Sequence, residues 1–185
     1  SVNTDNLPEG TTYSWKPGSE PNTTTTKDNP AGEKTGVVLV TYPDGTTDEV
    51  DVKVNVKPQA PEYDPTAKEP NQSVSRGVTP VAKDSVNTDN LPEGTTYSWK
   101  PSKTPNTTTS EANPPGDKDG VVVVRYPDGT TDEVNVKVTV TAQNTQHNPQ
   151  AKNPKQTVSR GETPVAKNSV NTDNLPEGTT YSWKP

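Results

Sequence analysis

The stretch GVVVVRYPDGTTDEVNVKVTV, residues 120–140, is the strongest structural signal in this sequence. Its first half is a nearly continuous apolar run, which is typical of a central β-strand. Its second half has valine at every second position, so one face of that strand is buried. Between them, Pro127, Asp128 and Gly129 predict a turn, because proline presets a negative φ and glycine accepts a positive one. The stretch therefore predicts a β-hairpin.

The hairpin sequence belongs to a long internal repeat. A close copy, GVVLVTYPDGTTDEVDVKVNV, begins at Gly36. The stretch SVNTDNLPEGTTYSWKP occurs at Ser1, Ser85 and Ser169, so the period is 84 residues. That period is too long for a solenoid repeat and suits one small domain per copy.

The composition shift at residues 57–65 predicts where one copy ends. This segment has three prolines and no apolar periodicity, and proline-rich segments act as semi-rigid spacers. We therefore expect residues 1–58 to be the C-terminal part of one repeat, 59–142 a complete repeat and 143–185 the N-terminal part of a third. These are the first, middle and third copies below. Because the first and third copies are complementary, we expect them to pair between chains.

The composition limits both the core and the partners. Only 24% of residues are apolar, so each core must be small, although the valines are clustered. The net charge of −6 disfavours binding to nucleic acid or to anionic membrane surfaces. The chain has no cysteine, which excludes a disulfide framework and a cysteine metal site. No stretch is apolar and long enough to span a bilayer.

The pattern predicts an all-β fold of tandem, small, immunoglobulin-like β-sandwich domains, with four or five strands each and a short helical turn. In the middle copy we expect strands at 72–75, 95–100, 121–126 and 131–141. A helical turn is expected over 80–86, capped by Thr79, and a long polar loop over 101–118. The predicted core residues are Leu91, Tyr97, Trp99, Val121, Val123, Val134, Val136 and Val138.

The hairpin motif YPDGTTDEV with its alternating valines, preceded by TPVAKD and LPEGTTYSWK, resembles the Rib/alpha-like repeat of Gram-positive bacterial cell-surface proteins. The loop at 101–118 is long for that family and suggests a long variant. The resemblance implies an immunoglobulin-like fold and tandem copies in an extracellular protein attached to the cell wall through a region outside this sequence. It also implies a contribution to adhesion, and it offers no catalytic residues.

The recurring LPEGT at Leu7, Leu91 and Leu175 is similar to a sortase signal, but its order differs from L-P-x-T-G and no apolar tail follows it. We interpret it as a structural turn, since proline and glycine favour turns.

Neither a metal nor a cofactor is predicted. His147 is the only histidine, and its counterpart in the middle copy is Tyr63, so a zinc site is excluded and we expect an exposed linker residue. Asp128, Asp132 and Glu133 cluster near the hairpin, but they do not form a calcium-binding loop, and the turn explains Asp128.

Two other roles are conceivable for residues of the sheet, namely sugar binding by the aromatic side chains and covalent crosslinking by lysine and asparagine. Tyr97 and Trp99 could stack on a sugar, but a core this poor in large residues needs them inside. Lysine–asparagine isopeptide crosslinks occur in other Gram-positive surface domains, but valines rather than a lysine occupy the strand centre. We therefore expect core packing and no crosslink.

The function predicted from the sequence is a structural spacer, and the chain is not an enzyme. Its partners would be neighbouring repeats of the same protein. Stiff, proline-bearing linkers between the repeats would hold a distal adhesive domain away from the cell. The alternative is an adhesin module whose variable loops, 18–34 and 102–118, bind a host ligand directly. A binding module should have an exposed apolar patch or a pocket, whereas a spacer needs neither.

Overall fold

The structure, a computed structural model that describes residues 2–185, is an all-β fold with two sheets. The first sheet has the order β1-β2-β3, with β1 at Thr12–Trp15, β2 at Gly32–Thr41 and β3 at Thr47–Val56. The second has the order β4-β7-β6-β5, with β4 at Gln72–Val74, β5 at Thr96–Trp99, β6 at Gly116–Arg125 and β7 at Thr131–Val140. Single helical turns lie at Ala60–Glu62, Ala82–Ser85, Gln143–Gln146 (α1) and Ala166–Ser169.

The chain divides into two compact units. The first contains the chain up to Gln72, together with Val81–Thr104 and Asp119–Lys137. The second contains Ser73–Pro80, Pro105–Lys118 and Val138–Pro185. The long strands β6 and β7 contribute residues to both units.

The predicted hairpin forms in both the first and the middle copy. In the middle copy, Tyr126 N donates to Thr130 O and Gly129 N donates to Tyr126 O, both at 2.9 Å. Gly129 has a φ of +87°, which side chains rarely tolerate and glycine adopts freely. Pro127, Asp128 and Gly129 therefore occupy the turn between β6 and β7.

The larger of the two buried clusters in the first unit lies between the second sheet and a layer of mostly irregular segments, and the smaller one consists of Val38, Val40 and Val52 on the first sheet. Sheet valines pack against Ala82 and Val86, at the two ends of the helical turn at 82–85. An antiparallel bridge between Ala67 and Val86 is the main regular feature of that layer. The middle copy is thus a small, two-layer, immunoglobulin-like domain with four strands in its one sheet. The buried cluster consists of Ala82, Val86, Val122, Val124, Tyr126, Val134 and Val136.

The core prediction is wrong about which face of β6 points inward. Val122 and Val124 are fully buried, whereas Val121 and Val123 are half-buried on the other face. Four consecutive valines do not alternate with polar residues. The pattern therefore predicts a strand, but it does not specify which face of that strand is buried. The remaining predicted core residues are Val134, Val136 and Val138, which are buried, and Leu91, Tyr97 and Trp99, which are half-buried and pack against the cluster.

Two element boundaries also differ from prediction. The helical turn begins at Ala82 with Val81 as its N-cap, so Thr79 does not cap it. Strand β6 begins at Gly116, inside the predicted 101–118 loop. Its first residues are polar because their side chains lie at the partly exposed end of the sheet. The equivalent strand β2 pairs with β3 over its full length, from Gly32 with Val56 onward.

Candidate functional site at the junction between copies

The start of the middle copy is tied to the hairpin turn of that same copy. Gln59 N donates to Asp128 Oδ2 at 2.7 Å, and Asp128 N donates to Gln59 Oε1 at 2.9 Å. Ala60 N donates to Thr130 Oγ1 at 3.1 Å. Because the partners are 69 and 70 residues apart, these three bonds fix the entry of the chain relative to the hairpin. We call them the entry clamp.

Asp128 is the centre of the clamp. Its side chain is only 3% exposed, and its Oδ1 accepts from Thr130 N at 2.9 Å and from Thr130 Oγ1 at 2.6 Å. Burial alone would raise the pKa of Asp128, but the bonds from Thr130 and from Gln59 N–H outweigh it and hold that pKa below its ordinary value. Both carboxylate oxygens of Asp128 therefore accept hydrogen bonds, and the role of this residue is structural.

Aromatic packing supports the same turn. The rings of Tyr63 and Tyr126 stack with centroids 5.4 Å apart and planes 26° apart. Tyr126 is 2% exposed, and its hydroxyl donates to Asp132 Oδ2 at 2.8 Å. Burial, and then this hydrogen bond, raise the pKa of Tyr126 far above its ordinary value. The opening segment thus contacts the hairpin through a hydrophobic surface as well as through the clamp.

The first copy meets the middle copy at this turn. Strand β3 ends at Val56, so only Lys57 and Pro58 separate it from the clamp. Gly129 lies beside the first-copy loop, where a Cβ placed on it would be 3.7 Å from Lys27 Cα. A cleft of about 550 Å³ lies between the two copies. The junction is therefore a close contact between loop and turn.

The counterpart of the turn in the first copy has the same local bonds, and within residues 2–185 no segment clamps it. Asp44 Oδ1 accepts from Thr46 N at 3.0 Å and from Thr46 Oγ1 at 2.7 Å. These bonds from Thr46 hold the pKa of Asp44 below its ordinary value. Asp44 is nevertheless exposed, whereas Asp128 is buried. The difference comes from the opening segment that covers the middle-copy turn.

Gln59 was not among the predicted residues, although its recurrence in the sequence marks it. Glutamine recurs at Gln59 and Gln143, directly after each predicted seam and 84 residues apart. Its neighbours differ between the copies, since Ala60 aligns with Asn144. A residue type that recurs within an otherwise variable linker is a marker that could have been found.

The LPEGT motif forms the same turn in all three copies. The threonine hydroxyl donates to the proline carbonyl at 2.7 Å for Thr11 and Thr95 and at 2.6 Å for Thr179. Gly94, within the middle-copy turn, has a φ of +85°. The motif thus has a local structural explanation wherever it occurs.

The single histidine and the carboxylates do not converge. His147 is half-buried after α1, and its N–H donates to Gln143 O at 3.1 Å. Asp132 bonds Tyr126, and Glu133 pairs with Lys100 at 2.7 Å. Among residues 2–185, no three His, Cys, Asp or Glu side chains lie close enough together to hold a metal ion. None of the helices in that range has the length and hydrophobicity needed to cross a bilayer.

The variable loops are held together by their own side chains. Asn113 Nδ2 donates to Thr108 O at 2.9 Å, and Lys118 Nζ donates to Asn113 Oδ1 and to Pro114 O, both at 2.6 Å. In the first copy, Lys34 makes the same contacts with Asn29 and with Pro30 O. In each of these two loops, one lysine and one asparagine therefore hold the loop closed through hydrogen bonds.

The comparison with protein families fits this architecture. The model of the Rib domain matches residues 1–58, 59–142 and 143–185. The chain belongs to the Rib domain family. The family accounts for the repeated hairpin and places the chain among tandemly repeated surface proteins with a structural role.

The solved structures that match include another Rib domain. This Rib domain, from Streptococcus pyogenes, is 50% identical with a TM-score of 0.38, and the match covers 44% of this chain and 95% of that one. SGBP-B from the mixed-linkage glucan utilization locus of Bacteroides ovatus, solved in complex with a mixed-linkage heptasaccharide, is 25% identical with a TM-score of 0.22. That match covers 70% of this chain and 37% of SGBP-B. No curated protein matches the chain.

Proposed function

We propose that this Rib chain is a structural spacer, a stalk segment of an extracellular, wall-anchored protein that projects a distal adhesive domain from the cell. The proposal includes the domain boundaries at 58/59 and 142/143. The observation that carries it is the entry clamp, which fixes Gln59 and Ala60 on the hairpin turn directly after the two residues that follow β3. A linker of two residues, one of them proline, leaves little freedom between neighbouring domains.

The second junction has a bond of its own. In the second unit, Gln146 Nε2 of α1 donates to Ser75 Oγ at 2.8 Å, which ties the segment after β7 to the segment after β4. Thr141 N also donates to Val74 O at 2.9 Å. The Gln146–Ser75 bond therefore crosses the 142/143 boundary, and the 58/59 boundary has a linker of only two residues. Both features favour a stiff array over a flexible one.

The alternative, direct ligand binding by the variable loops, has less support. The polar groups at the base of each loop are used in closing it, through Asn29 and Lys34 in the first copy and Asn113 and Lys118 in the middle copy. A loop that satisfies its own polar groups has fewer of them to offer a ligand. In this proposal, the variable loops 18–34 and 102–118 are rigid structural elements and do not bind a ligand.

The rigidity of the first junction can be measured directly. The chain has no cysteine, and Asp51 and Asn135 occupy equivalent exposed positions on β3 and β7. Spin labels on Asp51→Cys and Asn135→Cys should give one narrow distance distribution in pulsed electron paramagnetic resonance. As a matched control, Gly-Ser-Gly-Ser inserted between Lys57 and Pro58 should broaden it. A broad distribution without the insertion would contradict the spacer.

A further inference from the structure

The chain enters and leaves the middle copy at the two ends of one strand. Gln59 bonds Asp128 in the turn directly before β7, which runs from Thr131 to Val140. The chain leaves the same strand at Thr141. At about 3.3 Å per residue, the ten residues of β7 span roughly 33 Å. The entry clamp therefore connects the incoming chain to the start of the strand from which the outgoing chain continues.

The first residues of the middle copy follow this strand from one end to the other. Beyond the clamp the chain reaches β4, which lies next to β7 in the sheet. Val74 O, at the end of β4, accepts from Thr141 N at 2.9 Å, and Gln146 Nε2 donates to the adjacent Ser75 Oγ at 2.8 Å. The opening segment, residues 59–75, thus begins at the start of β7 and ends at its end, so the two run in the same direction.

The common direction determines how tension acts on the bonds between the opening segment and β7. When a stalk is pulled, the chain before Gln59 moves one way and the chain after Thr141 moves the other way. The two neighbours are then drawn past each other lengthwise, and the hydrogen bonds that lie across them are loaded together. If they ran in opposite directions, the bonds would open one at a time from one end. The arrangement in the middle copy therefore resists extension.

The clamp also keeps tension out of the rest of the fold. Gln59 and Asp128 are 69 residues apart, so tension that did not cross the clamp would act on the covalent chain between them and unfold it. Across the clamp, the load passes from Gln59 directly to the turn that begins β7. The strand is held in the sheet by its buried valines, which are Val134, Val136, Val138 and Val140.

The bonds of the clamp are protected from water. Asp128 is 3% exposed, and the rings of Tyr63 and Tyr126 stack beside the same turn with centroids 5.4 Å apart. In a buried site, a hydrogen bond must break before water can replace it, so the barrier to rupture is higher than at an exposed site. Burial therefore makes these few bonds resistant to force.

We propose that the middle copy transmits tension along the stalk through β7, with the entry clamp and the pairing of β4 with β7 as the contacts that resist it. This load-bearing function goes beyond spacing, and it rests on the proposed stalk role only for the direction of the force. Strands β5 and β6 support β7, but they do not lie between the point of entry and the point of exit.

Optical tweezers on the 185-residue chain test the proposal. The chain has no cysteine, and Lys57 and Asn144 are exposed, so Lys57→Cys and Asn144→Cys provide attachment points on either side of the middle copy. The copy should resist until one rupture adds roughly 250 Å, because the 82 residues from Gln59 to Val140 extend by about 3.3–3.6 Å each, less the length of β7. Extension in several small steps before the main rupture would contradict the proposal.

Asp128→Asn tests the clamp with little change in shape. It retains an oxygen for Thr130 and replaces the acceptor of Gln59 N–H with an amide group. Because this bond must break before the copy extends, the rate of rupture at constant force should rise roughly tenfold.

Tyr97→Ala is the matched control outside the path of tension. Tyr97 is half-buried on β5, at the edge of the sheet opposite β4, and packs against the buried cluster. The substitution should lower the urea midpoint at least as far as Asp128→Asn does, but it should leave the rupture rate nearly unchanged. Rupture under force depends on the contacts that break at the barrier and not on equilibrium stability.

A second pair of attachment points gives a control for the substitution itself. With Glu93→Cys and Asn144→Cys, tension enters before β5 and bypasses Gln59, so Asp128→Asn should have little effect on the rupture rate. The proposal is wrong if Asp128→Asn has the same effect from both pairs of points, or if Tyr97→Ala accelerates rupture from Lys57 and Asn144 as much as Asp128→Asn does.

The load-bearing function and the spacer function fail separately. The spin-label distances report the rigidity of the first junction without applied force, whereas the two attachment points enclose only the middle copy. Rigid junctions with a copy that extends in small steps would refute load bearing alone. A flexible junction with a copy that resists until a single rupture would refute the spacer alone.

Discussion

The turn YPDGTTDEV occurs at residues 42–50 and at 126–134 with the same nine letters, and the two copies share their local geometry. In both, the glycine N–H donates to the tyrosine carbonyl at 2.9 Å, and the aspartate bonds the threonine two residues on. Yet Asp44 is exposed and Asp128 is 3% exposed.

The comparison separates two contributions to the same structure. The shape of the turn follows from its own residues, since proline, aspartate and glycine favour it locally. Its burial follows from a segment 69 residues away, which brings Gln59 and Tyr63 onto it. Identical residues should therefore respond differently to the same substitution.

The largest difference is expected at the tyrosines. Tyr126→Ala removes a buried ring, its stacking on Tyr63 and its bond to Asp132, and should lower the free energy of unfolding by about 3–5 kcal/mol. Tyr42→Ala, at a half-buried site, should cost clearly less. The chain has three tryptophans, one per copy, so a variant that keeps only Trp99 reports urea unfolding of the middle copy. Equal effects of the two substitutions on their own copies would refute the comparison.

The clamp aspartate should show the next largest difference. Asp128→Ala leaves Gln59 N–H and the Thr130 hydroxyl without their acceptor and should destabilise the middle copy by about 1–3 kcal/mol. Asp44→Ala, measured in the same way on the first copy through Trp15, should cause a smaller loss because water replaces the carboxylate. A negligible effect of Asp128→Ala would show that the clamp bonds do not stabilise the fold.

Acid should weaken the middle copy through the same residue. The pKa of Asp128 is lowered in the folded state, so its contribution to stability is present above the unfolded pKa of about 3.9 and is lost as pH falls through the lower folded value. Urea midpoints measured from neutral to acid pH should therefore fall below about pH 4. Asp128→Asn should flatten the dependence of the urea midpoint on pH in this range. If the substitution leaves that dependence unchanged, the loss of stability in acid comes from other carboxylates.

The smallest effect should be spectroscopic and at alkaline pH. Burial first, and then the bond to Asp132, raise the pKa of Tyr126, whereas the bond to Asp48 is the main cause of the rise in the pKa of Tyr42. A raised folded pKa means that the contribution to stability is present below the unfolded value of about 10 and is lost as pH rises. Ultraviolet difference titration should show Tyr42 ionising before Tyr126. The reverse order, read from Tyr→Phe variants, would contradict the burial difference.

The hairpin, the repeat and the family could be predicted from the sequence because each depends on a local pattern. Alternating valines at Val134, Val136 and Val138 specify a strand and its buried face together. The run from Val121 to Val124 specifies a strand only, because four equal residues leave its phase to pairing and packing. This is why the predicted face of β6 was wrong.

The entry clamp could not be predicted from the pattern alone, because it depends on contacts distant in the sequence. Asp128 was interpreted as a turn residue, and that local explanation accounts for only one of its two carboxylate oxygens. Gln59 lies in a linker with no periodicity, so only its recurrence at Gln143 marks it. Hydrogen bonds that join residues 69 apart become visible only when the fold brings them together.

The central claim is that successive copies join into a stiff spacer, and small-angle scattering tests it most directly. Arrays of two, three and four complete repeats should lengthen by a constant step of roughly 40 Å per repeat, about one ten-residue strand at ~3.3 Å per residue with its turn and seam. A maximum dimension that does not grow with repeat number, or grows with a shrinking step as a flexible chain does, would contradict the account.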